Sequence, residues 1–325
     1  MGLFLPNPPI PMIPRRLLAA ACGLLALLVV TSGCRTPADG AAARRPGTRL
    51  VAVMGAYTPE LEANESVFLE QGRKLGEETV NGVRFVRIRF GDHDLLLFSS
   101  GVSMVNAAMM TQLAIDRFHV DTVLFAGIAG AIDPARHIGD VVVPQRWHHH
   151  SEAAYLNPRP DGTGYVIPKY FQPPHENFGF LFPDHVWAIR DGMRSPARQP
   201  YFEADPVLLE VARKAAATAP PMEYRGRRAE LRVGGDGIAG PVFMDNREYR
   251  KWAFRVWNAQ CLDMESTAIA QVCWANKVPC LVVRSLSDLA GGQEGLNDAD
   301  FTEGPVARHA ALFLREVVRN LPADR

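Results

Sequence analysis

The chain has 325 residues, 47% of them hydrophobic and 22% charged, a composition that suits one large globular domain or two small ones. Its 35 basic side chains offset its 35 acidic ones, and the isoelectric point is near 7.1. With no basic field to attract phosphate backbones, the composition argues against nucleic-acid binding.

Residues 1–34 read as an export signal rather than as fold. Arg15 and Arg16 precede an uncharged apolar run, Leu17 to Val30, which leads into the small residues Thr31 to Cys34. That run is too short for a comfortable membrane span. Gly33-Cys34 resembles a bacterial lipoprotein cleavage box, although Thr31 stands where a leucine is usual. The expectation is an exported protein, lipidated at Cys34 and held to a membrane on its periplasmic or cell-surface side. Met12 reads as a better start than Met1. Residues 35–48 are small and polar, a flexible tether.

The domain is expected over 49–325. Arg49 to Ala56 reads as a buried strand followed by a turn. Phe85 to Gly101 reads as a hairpin about Gly91-Asp92, and Met104 to Phe118 has apolar residues at helical spacing. Asp121 to Ile132 reads as a strand running into a glycine-rich turn, and Gly139 to Gln145 as another strand. Residues 148–206 are rich in Pro, Gly and aromatic residues and form an irregular insert. Its rings, among them Tyr165, Tyr170, Phe171, Phe178, Phe180, Phe182 and Trp187, need something to pack on. A lid or intersubunit wall over a ligand and plain structural cover are equally compatible with that need. Ser266 to Lys277 reads as a helix, Pro279 to Asp288 as a strand, and Gly304 to Leu321 as a final amphipathic helix. Strands apolar throughout, alternating with helices, indicate α/β: a single domain with a central mixed sheet flanked by helices.

The sequence carries no metal-type spacing and no cofactor motif. Cys261, Cys273 and Cys280 lie in apolar runs and read as small buried hydrophobes. His148, His149 and His150 are consecutive, so they cannot all face one ion from a strand; they read as surface or pocket-rim residues. Acidic residues fall where strands end. Glu60 follows the first strand, Asp263 and Glu265 precede a helix, and Arg284, Ser287 and Asp288 close the strand from Pro279. Ligands of α/β sheets sit at such ends. By themselves Asp263 and Glu265 read as a helix cap.

The ordered pieces GAYTPE, SSGVSMVNAA, AGIAGAIDPARHIGDVVV, GPVFMDN, DMESTAIA and VVRSLSDLAGGQEGLNDADF resemble the purine nucleoside phosphorylase superfamily. Within it they are most similar to the 5'-methylthioadenosine/S-adenosylhomocysteine nucleosidases. The resemblance runs from about Arg49 to Leu321 and implies an N-glycosyl hydrolase acting on a small-molecule purine nucleoside without a cofactor, most often as a homodimer. It implies catalytic roles for Glu60, which polarises the attacking water, for Asp288, the acid at purine N7, and for Arg284 near the water-binding group. It further implies that Glu265 holds the ribose hydroxyls, that Met264 packs beneath the sugar, and that Phe243 stacks on the base. The backbone of Met244 reads the base edge, Phe301 lies beside the 5' substituent, and Ser287 belongs to the same site. Two departures stand out. Ile128 occupies a place where the nucleosidases carry a serine, which removes a hydroxyl near sugar or water, and the 148–206 insert is longer than theirs. A phosphate-dependent phosphorylase and a non-catalytic nucleoside-binding lipoprotein are the alternatives.

Overall fold

The computed structural model describes residues 49–295, 297 and 305–322. The export signal, Cys34, the tether and Phe301 lie outside the described residues.

In chain order the first elements are β1 (Leu50–Gly55), α1 (Thr58–Leu69), β2 (Arg73–Val80), β3 (Val83–Phe90), β4 (His93–Ser99), α2 (Met104–Phe118), β5 (Thr122–Ala131), β6 (Val141–Val143) and β7 (Arg146–His149). The insert contributes two hairpins, β8 (Ala153–Tyr155) with β9 (Leu181–Pro183) and β10 (Val186–Ala188) with β11 (Ala197–Gln199). Then follow β12 (Phe202–Glu203), α3 (Pro206–Thr218), β13 (Glu223–Tyr224), β14 (Arg227–Arg228), β15 (Leu231–Val233) and β16 (Asp236–Ala239). The chain closes with α4 (Arg247–Trp257), β17 (Ala259–Asp263), α5 (Ser266–Asn276), β18 (Cys280–Asp288) and α6 (Pro305–Arg319).

The large sheet runs β12-β7-β16-β17-β5-β1-β4-β3-β2, and β18 pairs with β5 and β6 off this path. β4, β1, β5 and β18 are mutually parallel neighbours, whereas β2, β3 and β4 form an antiparallel meander. The sheet is therefore mixed. Both faces are covered, by α2 and α5 on one side and by α1, α3 and α6 on the other. Burial on both faces is why β1, β4 and β18 read as unbroken apolar runs instead of alternating ones.

Three readings change. The segment AGIAGA is not a turn: β5 continues through it to Ala131, because β18 pairs along its length and β17 pairs antiparallel with its end. Glu60 is not beyond a turn but inside the first turn of α1, where Pro59 supplies a helical φ without losing a needed N–H. Two of the three histidines are not at the surface, while His149 is half-buried on a pocket wall. His148 and His150 are buried, and His150 Nδ1 lies 2.7 Å from the Tyr249 hydroxyl of α4.

The insert leaves from β7 and returns as β12, which pairs antiparallel with β7, so both of its expected boundaries fall at sheet strands. Its rings pack on α4: Phe178 lies 5.0 Å from Tyr249 and 5.4 Å from Trp252, and His175 lies 5.6 Å from Trp257. Cys261, Cys273 and Cys280 are buried free thiols.

Candidate active site

The turns after β1, β4, β16, β17 and β18 gather around one cleft of about 300 Å³. Its wall includes Glu60, Ile128, Phe243, Met244, Met264, Glu265, Ser287 and Asp288, together with Tyr57, Val102, Leu262 and Asp263. Among the described residues no insert side chain reaches it, and no Lys, Arg or His lines it. No group of three or more His, Cys, Asp or Glu among them could hold a metal ion.

Glu60 is 2% exposed. Its Oε2 accepts from the Ala56 N–H at 2.5 Å, and its Oε1 accepts from the Ile128 N–H at 2.7 Å. Burial raises its pKa, and Arg284 with the two N–H donors opposes that rise. The backbone of Ile128, not its side chain, serves the carboxylate, so the loss of a serine hydroxyl there leaves this donor in place. Gly127 is required at the adjacent position, since a Cβ would overlap Glu60 Oε1 and Arg284 Nη1.

Behind this wall stands Arg284, fully buried, with its guanidinium carbon 3.8 Å from the centre of the Phe125 ring. Its Nε donates to Asp263 Oδ2 at 2.5 Å, its Nη2 to Glu265 Oε2 at 3.5 Å, and its Nη1 lies 3.6 Å from Glu60 Oε1. Expected as a catalytic residue, Arg284 does not line the cleft among the described residues; it contacts the carboxylates in front of it. Asp263 supplies the cap of α5, accepting from Glu265 N–H at 3.1 Å and Ser266 N–H at 2.9 Å, and also from the Ser266 hydroxyl. Glu265 makes no cap bond. Its Oε1 instead accepts from the Ser103 N–H at 2.7 Å, a donor delivered by a serine at φ 78°. Such a backbone costs about 1–3 kcal/mol and persists where the surroundings impose it. Burial pushes the Glu265 pKa up to about 8, with the charges of Asp263 and Glu60 adding to the rise and Arg284 opposing it. Three carboxyl groups share the one guanidinium of Arg284, and a cation in front of them would favour their ionised forms.

Asp288 closes the opposite wall. Its Oδ1 accepts from the Ala290 N–H at 2.7 Å and its Oδ2 from the Ser287 hydroxyl at 2.9 Å. Burial raises its pKa, Asp245 adds to that rise, and Ala290, Ser287 and Arg250 oppose it. Ser287 thus orients Asp288 as well as lining the cleft. Phe243 is 58% exposed at the mouth. Sequence reasoning missed Ser103, because a backbone N–H leaves no mark in residue type, although SSGVSMVNAA marked the neighbourhood; it also did not single out Tyr57, which lines the cleft.

A cleft with carboxylates in its wall and an apolar ring at its mouth suits a small molecule that combines hydroxyls with an aromatic base. The chain belongs to the phosphorylase superfamily, whose family model matches residues 50–319. It is 28% identical over 272 residues to the 5'-methylthioadenosine/S-adenosylhomocysteine nucleosidase of Staphylococcus carnosus (strain TM300), covering 84% of this chain and 100% of that protein. It is 27% identical over 264 residues to the nucleosidase of the same name from Tolumonas auensis, covering 81% of this chain and 96% of that one. In fold it is similar to the Helicobacter pylori nucleosidase of that name (TM-score 0.62, 22% identity, 85% of this chain and 100% of that one). It is also similar to the futalosine hydrolase of Helicobacter pylori (TM-score 0.60, 21% identity, 84% and 99%).

Proposed function

We propose that the protein is an N-glycosyl hydrolase that cleaves the N-ribosidic bond of 5'-substituted adenine nucleosides, in the manner for which its methylthioadenosine/S-adenosylhomocysteine nucleosidase relatives are named. The observation that carries hydrolysis over phosphorolysis is the electrostatics of the cleft. Phosphate needs cations or N–H donors. Here the Ala56 and Ile128 N–H groups are already taken by Glu60, the one nearby guanidinium is buried behind carboxylates, and no cation lines the wall among the described residues. An anion would meet repulsion where a water meets a base.

The chemistry follows from placement. Asp288, whose pKa burial raises, gives a proton to N7 so that the base departs neutral. Positive charge builds on the sugar, and Glu60 and Glu265 face it. Glu60 also orients the attacking water and accepts its proton, while Glu265 accepts from the ribose hydroxyls. Phe243 covers the base and Met264 the sugar. The size of the 5' group is open, since relatives in fold include hydrolases named for different nucleosides. Purified protein given a panel of nucleosides, with free base scored by chromatography, tests this reading. Adenine nucleosides should outcompete inosine and uridine; a clear preference for uridine would overturn it.

A further inference from the structure

β18 ends at Asp288 in the cleft wall and runs straight into the loop that follows it, and the loop after β16 carries Phe243 and Met244. The two are fastened together at one point. Gln293 Nε2 donates to Asp245 Oδ1 at 2.9 Å, and Asn297 Nδ2 donates to the same oxygen at 3.2 Å. Arg247 Nη2 donates to the Gln293 carbonyl at 2.7 Å. The backbones also meet: Gly291, at φ 86°, lies so close to Asn246 that a Cβ would overlap its backbone nitrogen. Gln293 shows what dictates the arrangement. Its Oε1 is buried and finds no donor among the described residues, yet the amide keeps its nitrogen toward Asp245. Turning the amide over would set an oxygen against a carboxylate.

We propose that Asp245 is a positioning residue: its carboxylate latches the loop after β18 to the base-stacking loop and so holds Asp288 and Phe243 on a common base. The inference rests on the hydrolase reading above and adds to it a residue that does not line the cleft. The latch has an electrostatic consequence. After burial and its own two hydrogen bonds, Asp288 responds to Asp245 and to Arg250 of α4. Asp245 favours the protonated acid and Arg250 the ionised one, while Arg250 is itself shared with Asp133. Asp245 is exposed, so solvent screens its effect and the shift it produces is small.

Two substitutions separate the roles. Asp245→Asn keeps an oxygen that accepts from Gln293 and Asn297 and removes the charge, whereas Asp245→Ala removes both. Amide hydrogen exchange of residues 289–297 in the free protein reads the latch without reference to activity. It should accelerate in Asp245→Ala and stay near wild type in Asp245→Asn. With an adenine nucleoside as substrate, Asp245→Ala should raise KM about five- to tenfold, the loss of one or two modest hydrogen bonds. The alkaline limb of kcat/KM should move to lower pH in both variants, because the acid ionises sooner. Wild-type exchange together with wild-type KM in Asp245→Ala would overturn the proposal. A wild-type protein without turnover would count against the hydrolase reading instead, and the exchange comparison would still decide the latch.

Discussion

Asp288 and Glu265 are both buried carboxylates with raised pKa values, and their surroundings assign them different work. Asp288 has no cation in hydrogen-bond contact, only an N–H and a hydroxyl. In the proposed reaction it is the proton donor. Asp288→Asn removes that proton, and kcat should fall about 10²–10⁴-fold; steady-state turnover checks this, and an unchanged rate removes Asp288 from the mechanism. Glu265 shares Arg284 with Asp263 and Glu60, and its pKa stands at about 8 against an ordinary 4.5. The folded state therefore holds a proton that the unfolded chain has lost. Stability from this group is present below pH ~4.5 and declines as pH rises toward about 8. Glu265→Gln keeps an acceptor for the Ser103 N–H and carries no charge. It should abolish most turnover yet melt above wild type at pH 8, by about 2–4 °C for each kcal/mol relieved. A thermal melt at pH 5 and pH 8 checks this, the gain being confined to the higher pH. At this scale the sequence was informative where side chains do the chemistry. It was silent where the backbone does: the N–H groups of Ser103, Ile128 and Ala290 hold all three acids, and residue identity does not encode them.

Among the elements, apolar runs announced β1, β4, β5 and β18, and helical spacing announced α2, α5 and α6. α4 was not apparent. Its sequence, REYRKWAFRVW, is half charged, and its buried Tyr249, Trp252 and Trp257 find their partners in the insert more than 70 residues earlier. The insert was legible as irregular and aromatic, and its place was not, since packing on α4 is long-range. That packing argues for cover over lid. Shortening the segment from Asn157 to Arg198 should expose α4, lower the unfolding midpoint and leave the 5'-substituent preference unchanged. Competition between nucleosides with small and large 5' groups checks this; a changed preference would return the insert to the cleft.

At the scale of the whole molecule, the resemblance in ordered motifs agrees with the family to which the chain belongs and with its mixed sheet. Membrane attachment is a separate proposal, carried by Arg15, Arg16, the apolar run to Val30 and Gly33-Cys34. Cys34→Ser should move the protein from the membrane fraction to the soluble periplasmic or secreted fraction; fractionation and the mature N-terminal residue check it. A dimer is likewise proposed from the resemblance. Val105 and Met109 of α2 and Val102 just before it, which lines the cleft, are exposed, as a partner-facing surface would be. The central claim, that water and not phosphate attacks in front of Glu60, has a direct test. Methylthioadenosine is turned over in ¹⁸O-labelled water with and without phosphate, and the sugar product is weighed by mass spectrometry. The account predicts a free sugar carrying one ¹⁸O atom, formed equally well in both reactions. A sugar 1-phosphate formed only when phosphate is present would contradict it.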